Sequence, residues 1–402
     1  MKLLYVYDGH WPHNATRVSK QVNVLLAAGH EVTILSRGRQ GQPREESSGA
    51  LSVSRLPTLA QRTLDRLATY PVFLNPLWIS AITQRARRIA AGGIVVRDLP
   101  LAPAAILAGR MLGIPVHYDM AEVYPAALGS ILPHESPPAI RIVRALRLAE
   151  AVERWVVRRV ATTFVVSEDS QERCVGLGVP AARVVLVGNT PEHPEDLFAD
   201  WPVPVELAGD MDRLKLIFVG NVFADRGLRF VLEAMPEILD AIPSALLVVV
   251  GDGRELPHLE AQAKTQGLTN AVRFLGWRHH DTHAAYLRHA HIGLLPFLDT
   301  EHIRITLANK LFDYMGASLP VVATDVPSMR RIIDRSQCGL LVPPSDPKAL
   351  ASACIRLLLD ADLRQRLGAA GRVAVDRDYA WKDDAQRFLA AVEAASTRTL
   401  TS

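Results

Sequence analysis

Arg226 and Lys310 are the cations whose sequence surroundings best suit an anionic ligand. Arg226 closes the run Gly220-Asn221-Val222-Phe223-Ala224-Asp225-Arg226, which follows an apolar stretch at 214–219. Glycines let backbone approach a ligand closely, and a cation at the start of a helix suits a diphosphate. A tight turn with a solvated arginine is the plainer reading. Lys310 sits in Thr306-Leu307-Ala308-Asn309-Lys310-Leu311-Phe312-Asp313, the polar start of a helical pattern. Free N–H groups at such a start can cradle phosphate. Asp313 comes three residues after Lys310 on the same helix face, where a carboxylate could accept both hydroxyls of a ribose. An ordinary surface ion pair competes with that reading.

Other stretches carry weaker signals. Gly251-Asp252-Gly253 is a bare GxG without the third glycine of a dinucleotide fingerprint. Gly276-Trp277-Arg278 follows a strand pattern; its backbone could read a base edge, or Trp277 could pack between domains. Asp98, Asp119 and Glu122 also follow strand patterns, where carboxylates can hold hydroxyls or cap helices. Asp210-Met211-Asp212, Asp360-Ala361-Asp362 and the group His279, His280 and His283 lack the converging ligands of a metal site, so no metal and no cofactor is expected.

These residues must be held by an alternation of short apolar runs and longer amphipathic ones. Runs at 3–7, 31–35, 94–96, 116–118, 163–166 and 184–187 read as strands, with helical patterns at 17–28, 103–112 and 140–160 between them. The pattern breaks over a proline-rich stretch, then resumes with strands at 214–219, 245–250, 272–275, 292–296 and 320–323. Strand–helix alternation argues for parallel sheets covered on both faces. The expected organisation is α/β: a Rossmann-like domain at 1–190, an interdomain linker at 191–213 and a second Rossmann-like domain at 214–380. A C-terminal helix at 381–402 is expected to pack back on the first domain. Ligands of such sheets bind beyond the carboxyl ends of the strands, so two doubly wound domains should face each other across a cleft.

Composition narrows the class. The chain has 402 residues, 49% apolar and 22% charged, which excludes a disordered chain. A net charge of +3 is too small to argue for nucleic acid, and none is expected. The three cysteines, Cys174, Cys338 and Cys354, form no CxxC pair, which suits a reducing cytoplasm. The opening apolar run is too short for a signal peptide, and no stretch reaches the length of a membrane span.

The ordered set of motifs resembles family 4 glycosyltransferases. Asn309-Lys310-Leu311-Phe312-Asp313-Tyr314-Met315, followed by Pro320-Val321-Val322-Ala323-Thr324, looks like that family's donor-binding signature. Gly29-His30-Glu31-Val32, Gly251-Asp252-Gly253, Phe274-Leu275-Gly276-Trp277 and Cys338-Gly339-Leu340-Leu341-Val342 fall in its order. The resemblance implies a GT-B fold and a retaining, metal-independent transfer from a UDP- or GDP-sugar. It puts Arg226 on the diphosphate, Asp313 on the ribose, and Thr306, Leu307, Ala308 and Asn309 around phosphate. Lys310 stands nearby, Gly276, Trp277 and Arg278 border the base, and Gly220, Asn221 and Gly251 line the donor. Asp98, Asp119 and Glu122 would face the acceptor, with Glu122 joining Arg226 and Lys310 in catalysis.

The chain also departs from the family pattern. The first of the family's paired glutamates falls on Ile305, and Glu301 is the nearest substitute. Many relatives have histidine where this chain has Ala121. The glycine pair near the first strand is replaced by residues 10–17, which makes His13 and Arg17 candidate acceptor contacts.

The expected role is transfer to a glycan or lipid-linked acceptor in bacterial cell-surface polysaccharide biosynthesis. A non-catalytic partner subunit and a sugar-nucleotide epimerase of the same fold are the alternatives. Two basic amphipathic stretches suggest peripheral contact with an anionic membrane, at the inner face of the plasma membrane. One, at 59–90, has Arg62, Arg66, Arg85, Arg87 and Arg88 against Asp65; the other, at 140–159, has Arg141, Arg144, Arg147, Arg154, Arg158 and Arg159 against Glu150 and Glu153. A helix with a snorkelling arginine face would read the same way.

Overall fold

The computed structural model describes the chain except residues 13, 14, 40, 57–72, 132–138, 280, 281, 401 and 402. It divides into two compact units: Met1–Gly188 with Lys382–Ser402, and Asn189–Trp381.

The first unit is built on strands β1 (Lys2–Val6), β2 (Glu31–Ser36), β3 (Glu45–Ser48), β4 (Leu51–Arg55), β5 (Gly93–Arg97), β6 (Val116–Met120), β7 (Thr162–Val165) and β8 (Val184–Leu186). Their order is β3-β4-β2-β1-β5-β6-β7-β8, parallel except for the β3–β4 hairpin. Leu3, Leu4, Tyr5 and Val6 are fully buried, as a strand covered on both faces requires. The chain leaves β1 first to one side and then to the other, so the crevice between β1 and β5 is a topological switch point. The terminal helix Trp381–Leu400 adds Phe388 to this unit's core, its ring 4.8 Å from that of Phe164. Arg387 donates to the Leu186 carbonyl at 2.8 Å.

The second unit carries β9 (Leu214–Val219), β10 (Ala245–Val250), β11 (Val272–Gly276), β12 (Ile292–Leu295), β13 (Val321–Thr324) and β14 (Gly339–Val342). The order β11-β10-β9-β12-β13-β14 is parallel throughout, and its switch point lies between β9 and β12. The helices Leu228–Ala241 and Pro347–Leu359 bury apolar faces against it.

The proline-rich stretch 191–213 is built into this second unit. Leu207 is fully buried, and Asp210 accepts hydrogen bonds from Arg213 and Arg273. Arg372 donates to the carbonyls of Pro194 and Gly316, pinning the short helix Pro194–Phe198.

Candidate functional site

The turns after β9 and β12 are locked together by backbone. Leu298 N–H donates to the Asp225 carbonyl at 2.9 Å. Gly227 has φ +67°, and a Cβ there would meet the Pro296 carbonyl oxygen at 1.9 Å, so only glycine permits this approach. The lock brings the Arg226 guanidinium 4.9 Å from the centre of the Phe297 ring. On the helix Asn309–Gly316, the Lys310 ammonium stands 4.0 Å from the centre of Phe218 and 5.3 Å from that of Phe297. Tyr314 anchors this helix by accepting the Val219 N–H at 3.0 Å. Gly220 leaves room for the lysine tip: a Cβ there would lie 2.9 Å from Lys310 Nζ.

Two basic side chains thus share one aromatic ring at a switch point. Burial holds the Lys310 amine well below the usual lysine range, and Arg226 lowers it further against the opposing pull of Asp225 and Asp313. An anion between the two cations would relieve their repulsion. Asp225 lies 3.5 Å from Arg226 and orients it; the sequence reading singled out neither Asp225 nor Phe297. An apolar ring at a strand end carries no signal of its own before the partner cations are placed.

The other donor candidates are partly gathered here. Ala308 precedes the helix in an extended conformation; Leu311 N–H donates to the Ala308 carbonyl at 3.0 Å, which leaves the N–H groups of Asn309 and Lys310 ahead of the first helical acceptor. Leu307 is buried, Asn221 and Asn309 are exposed, and Asp313 is half-buried. Thr306 is tied back, its N–H donating to the His302 carbonyl at 3.0 Å. Glu301 is exposed at the start of the helix Glu301–Ile305, and Ile305 is half-buried. Gly251 meets a local demand: a Cβ there would stand 1.9 Å from the Gly220 carbonyl oxygen. Gly276 is left-handed, at φ +67°. Trp277 is 61% exposed, edge-on to His279. Arg278, expected beside a base, is instead paired with Glu206 at 2.8 Å and donates to the Tyr286 hydroxyl at 3.2 Å. The proline-rich stretch supplies that carboxylate, a contact that motif order does not reveal.

In the first unit, the candidates separate. Arg17 and Asp119, expected on an acceptor, satisfy each other. Both are buried, with the arginine Nη2 2.7 Å and Nε 3.0 Å from the carboxylate. Arg17 Nη1 also donates to the Val187 and Gly188 carbonyls. This pair cross-links the helix Thr16–Ala27, β6 and the chain after β8. His13 lies outside the described residues.

Asp98 differs. It follows β5 at φ 67° and ψ 153°, a region that non-glycine residues avoid. Burial pushes its carboxyl up to about 7; Arg97 opposes this, while Asp8, Glu122 and Asp119 add to it. Asp8 follows β1 and is raised too, mainly by burial. Glu122 is exposed and close enough to Asp98 to act on it electrostatically. A strained, half-neutral carboxyl at the β1–β5 switch point can accept from or donate to a hydroxyl.

Among the described residues, no group of three or more His, Cys, Asp or Glu side chains could hold a metal ion. No described helix is long and apolar enough to cross a membrane. Arg147, Leu148, Arg154, Arg158 and Arg159 are exposed along and just beyond the helix Ala139–Val157, while Glu153 is buried against Arg173. In the helix Pro76–Ile89, Trp78 and Ile82 point inward, and Arg85 and Arg88 pair with Glu45. Most of the basic stretch before that helix lies outside the described residues.

Residues 15–190 match the glycosyl transferase 4-like domain, and residues 213–360 match the glycosyl transferases group 1 model. The chain is 34% identical over 183 residues to a phosphatidyl-myo-inositol mannosyltransferase of Mycobacterium leprae (strain TN), covering 45% of this chain and 47% of that protein. It thus spans about half the length of that relative. Sucrose-phosphate synthase from Thermosynechococcus elongatus superposes with a TM-score of 0.77 at 19% identity, covering 99% of this chain and 100% of the other. Anabaena Alr3699/HepE in complex with UDP-glucose superposes at 0.73 and 14% identity, covering 98% and 100%. With one model matched on each half and the fold aligned end to end, the chain has the GT-B fold and is related to the group 1 and group 4-like glycosyltransferases.

Proposed function

We propose that this chain is a retaining transferase that moves a sugar from a UDP- or GDP-sugar to a glycan or lipid-linked acceptor in bacterial cell-surface polysaccharide assembly. It works in the cytoplasm, at the inner face of the plasma membrane. The observation that carries this reading is the pair Arg226 and Lys310 over Phe297, at the β9–β12 switch point. The UDP-glucose held by the Anabaena relative supports a uridine donor.

The chemistry follows from a diphosphate held there. The bond between the sugar C1 and the diphosphate oxygen breaks, and its electron pair stays on that oxygen. The same oxygen takes the proton of the acceptor hydroxyl, and the acceptor oxygen bonds to C1 on the face just vacated. Configuration is therefore kept. Lys310 and Arg226 stabilise the charge that develops on the leaving group. Asp98 holds the acceptor hydroxyl in line, its strained backbone being the local cost of that placement.

A thermal-shift panel of UDP, GDP, ADP and dTDP tests the donor class, since stabilisation follows RT ln(1 + [L]/Kd). One nucleotide should stand out and lose its effect in Arg226→Ala. No stabilisation by any of them would contradict the reading. Membrane contact is tested separately by sedimentation with anionic vesicles at low salt, where an unbound protein would count against it.

A further inference from the structure

The second unit has a cavity of about 230 Å³ at the end of its sheet opposite Arg226 and Lys310. It opens where the chain enters β12 and β13, and Arg288, His291, Ser318, Pro320, Arg364 and Gln365 contribute to its wall. Its lining contains two arginines and a histidine and no carboxylate. We propose that this cavity is a second anion site, taking inorganic phosphate or the phosphate group of a small monoester, distinct from the donor site.

Three features point to an oxyanion. Arg364 is held rigid, its Nη1 donating to the carbonyls of Leu357 and Leu358 at 2.8 and 2.7 Å. A fixed guanidinium loses little entropy when it binds a tetrahedral anion. His291 Nδ1 accepts the Lys215 N–H at 3.0 Å, so the neutral ring carries its proton on Nε2 and offers a donor. Arg288, half-buried, adds the second guanidinium to the wall.

The surroundings agree. Burial above all, with Lys215 and Arg364 adding to it, holds His291 down at about 4, so the ring is neutral and keeps its Nε2 proton as a donor. The Arg288 guanidinium also lies 4.7 Å from the centre of the Phe198 ring, within the same unit.

Inorganic phosphate and glycerol 3-phosphate are titrated by calorimetry into the full chain, into Arg226→Ala, and into Arg288→Gln and Arg364→Gln. The ring C–H signals of His291 serve as a local reporter. The proposal predicts binding that persists in Arg226→Ala, shifts the His291 signals, and weakens about tenfold or more in Arg288→Gln. Arg364→Gln can unsettle the helix it caps, so Arg288→Gln decides. No binding of either probe would overturn the proposal, as would binding that disappears in Arg226→Ala or leaves His291 and Arg288→Gln unaffected.

Discussion

The Lys310 ammonium and the Arg226 guanidinium stand over the same ring, Phe297, at 5.3 and 4.9 Å from its centre. They reach it from different elements: Arg226 from the turn after β9, Lys310 from the first turn of a helix that follows β12 by more than a dozen residues. Asp225 stands 3.5 Å from Arg226, and the aromatic face beneath accommodates both basic groups.

Donor binding should depend on pH through Lys310. In the free protein, burial and Arg226 hold the amine well below its usual range. A bound diphosphate favours the protonated form and raises that value. Affinity is then greatest below the free-state pKa and is lost as pH rises through the bound-state pKa. Calorimetric titration with UDP from pH 6 to 10 should show this decline, and Lys310→Met should flatten it. An equally steep decline in Lys310→Met would assign the effect elsewhere.

Asp98→Asn should stabilise the protein at pH 8. The folded-state carboxyl is raised to about 7 by burial, above its usual value in an unfolded chain. Its contribution is therefore present at low pH and is lost between pH 4 and pH 7, leaving a penalty above that. Removing the charge should gain about 1–2 kcal/mol at pH 8 and little at pH 4, read from denaturant midpoints. If Asp98 also holds the acceptor, Asp98→Asn raises the acceptor KM while donor affinity stays constant.

Arg17→Ala should act on stability. It leaves the Asp119 carboxylate buried without its partner and frees two carbonyls after β8. A loss of about 3–5 kcal/mol is expected. Asp119→Ala should cost a comparable amount, and the double variant less than the sum. A folded Arg17→Ala protein with normal stability and a raised acceptor KM would return Arg17 to the acceptor site.

Gly251→Ala should destabilise by more than about 1 kcal/mol, since its Cβ would collide with the Gly220 carbonyl. Gly276→Ala meets no neighbour within 4 Å and pays only for its positive φ, about 1 kcal/mol. Urea melts of the two variants separate a steric clash from backbone strain.

The strand–helix alternation made both sheets legible, because a parallel strand buried on both faces must be continuously apolar, as at 3–6 and 245–250. The hairpin of β3 and β4 was not legible: β3 is Glu-Glu-Ser-Ser at an exposed edge, without a hydrophobic pattern. The positions of Arg226 and Lys310 after strands were readable, but their common ring was not. The exchange of Asp119 onto Arg17, and of Arg278 onto Glu206, depends on partners 102 and 72 residues away. No local spacing reports such pairings.

The central claim is that Arg226 and Lys310 grip the donor's diphosphate. The direct test is the dissociation constant of UDP for the parent chain, Arg226→Ala and Lys310→Ala, with each variant's fold checked by circular dichroism. Loss of one charge-assisted contact should weaken binding about tenfold in each variant. Unchanged affinity in both folded variants would contradict the account.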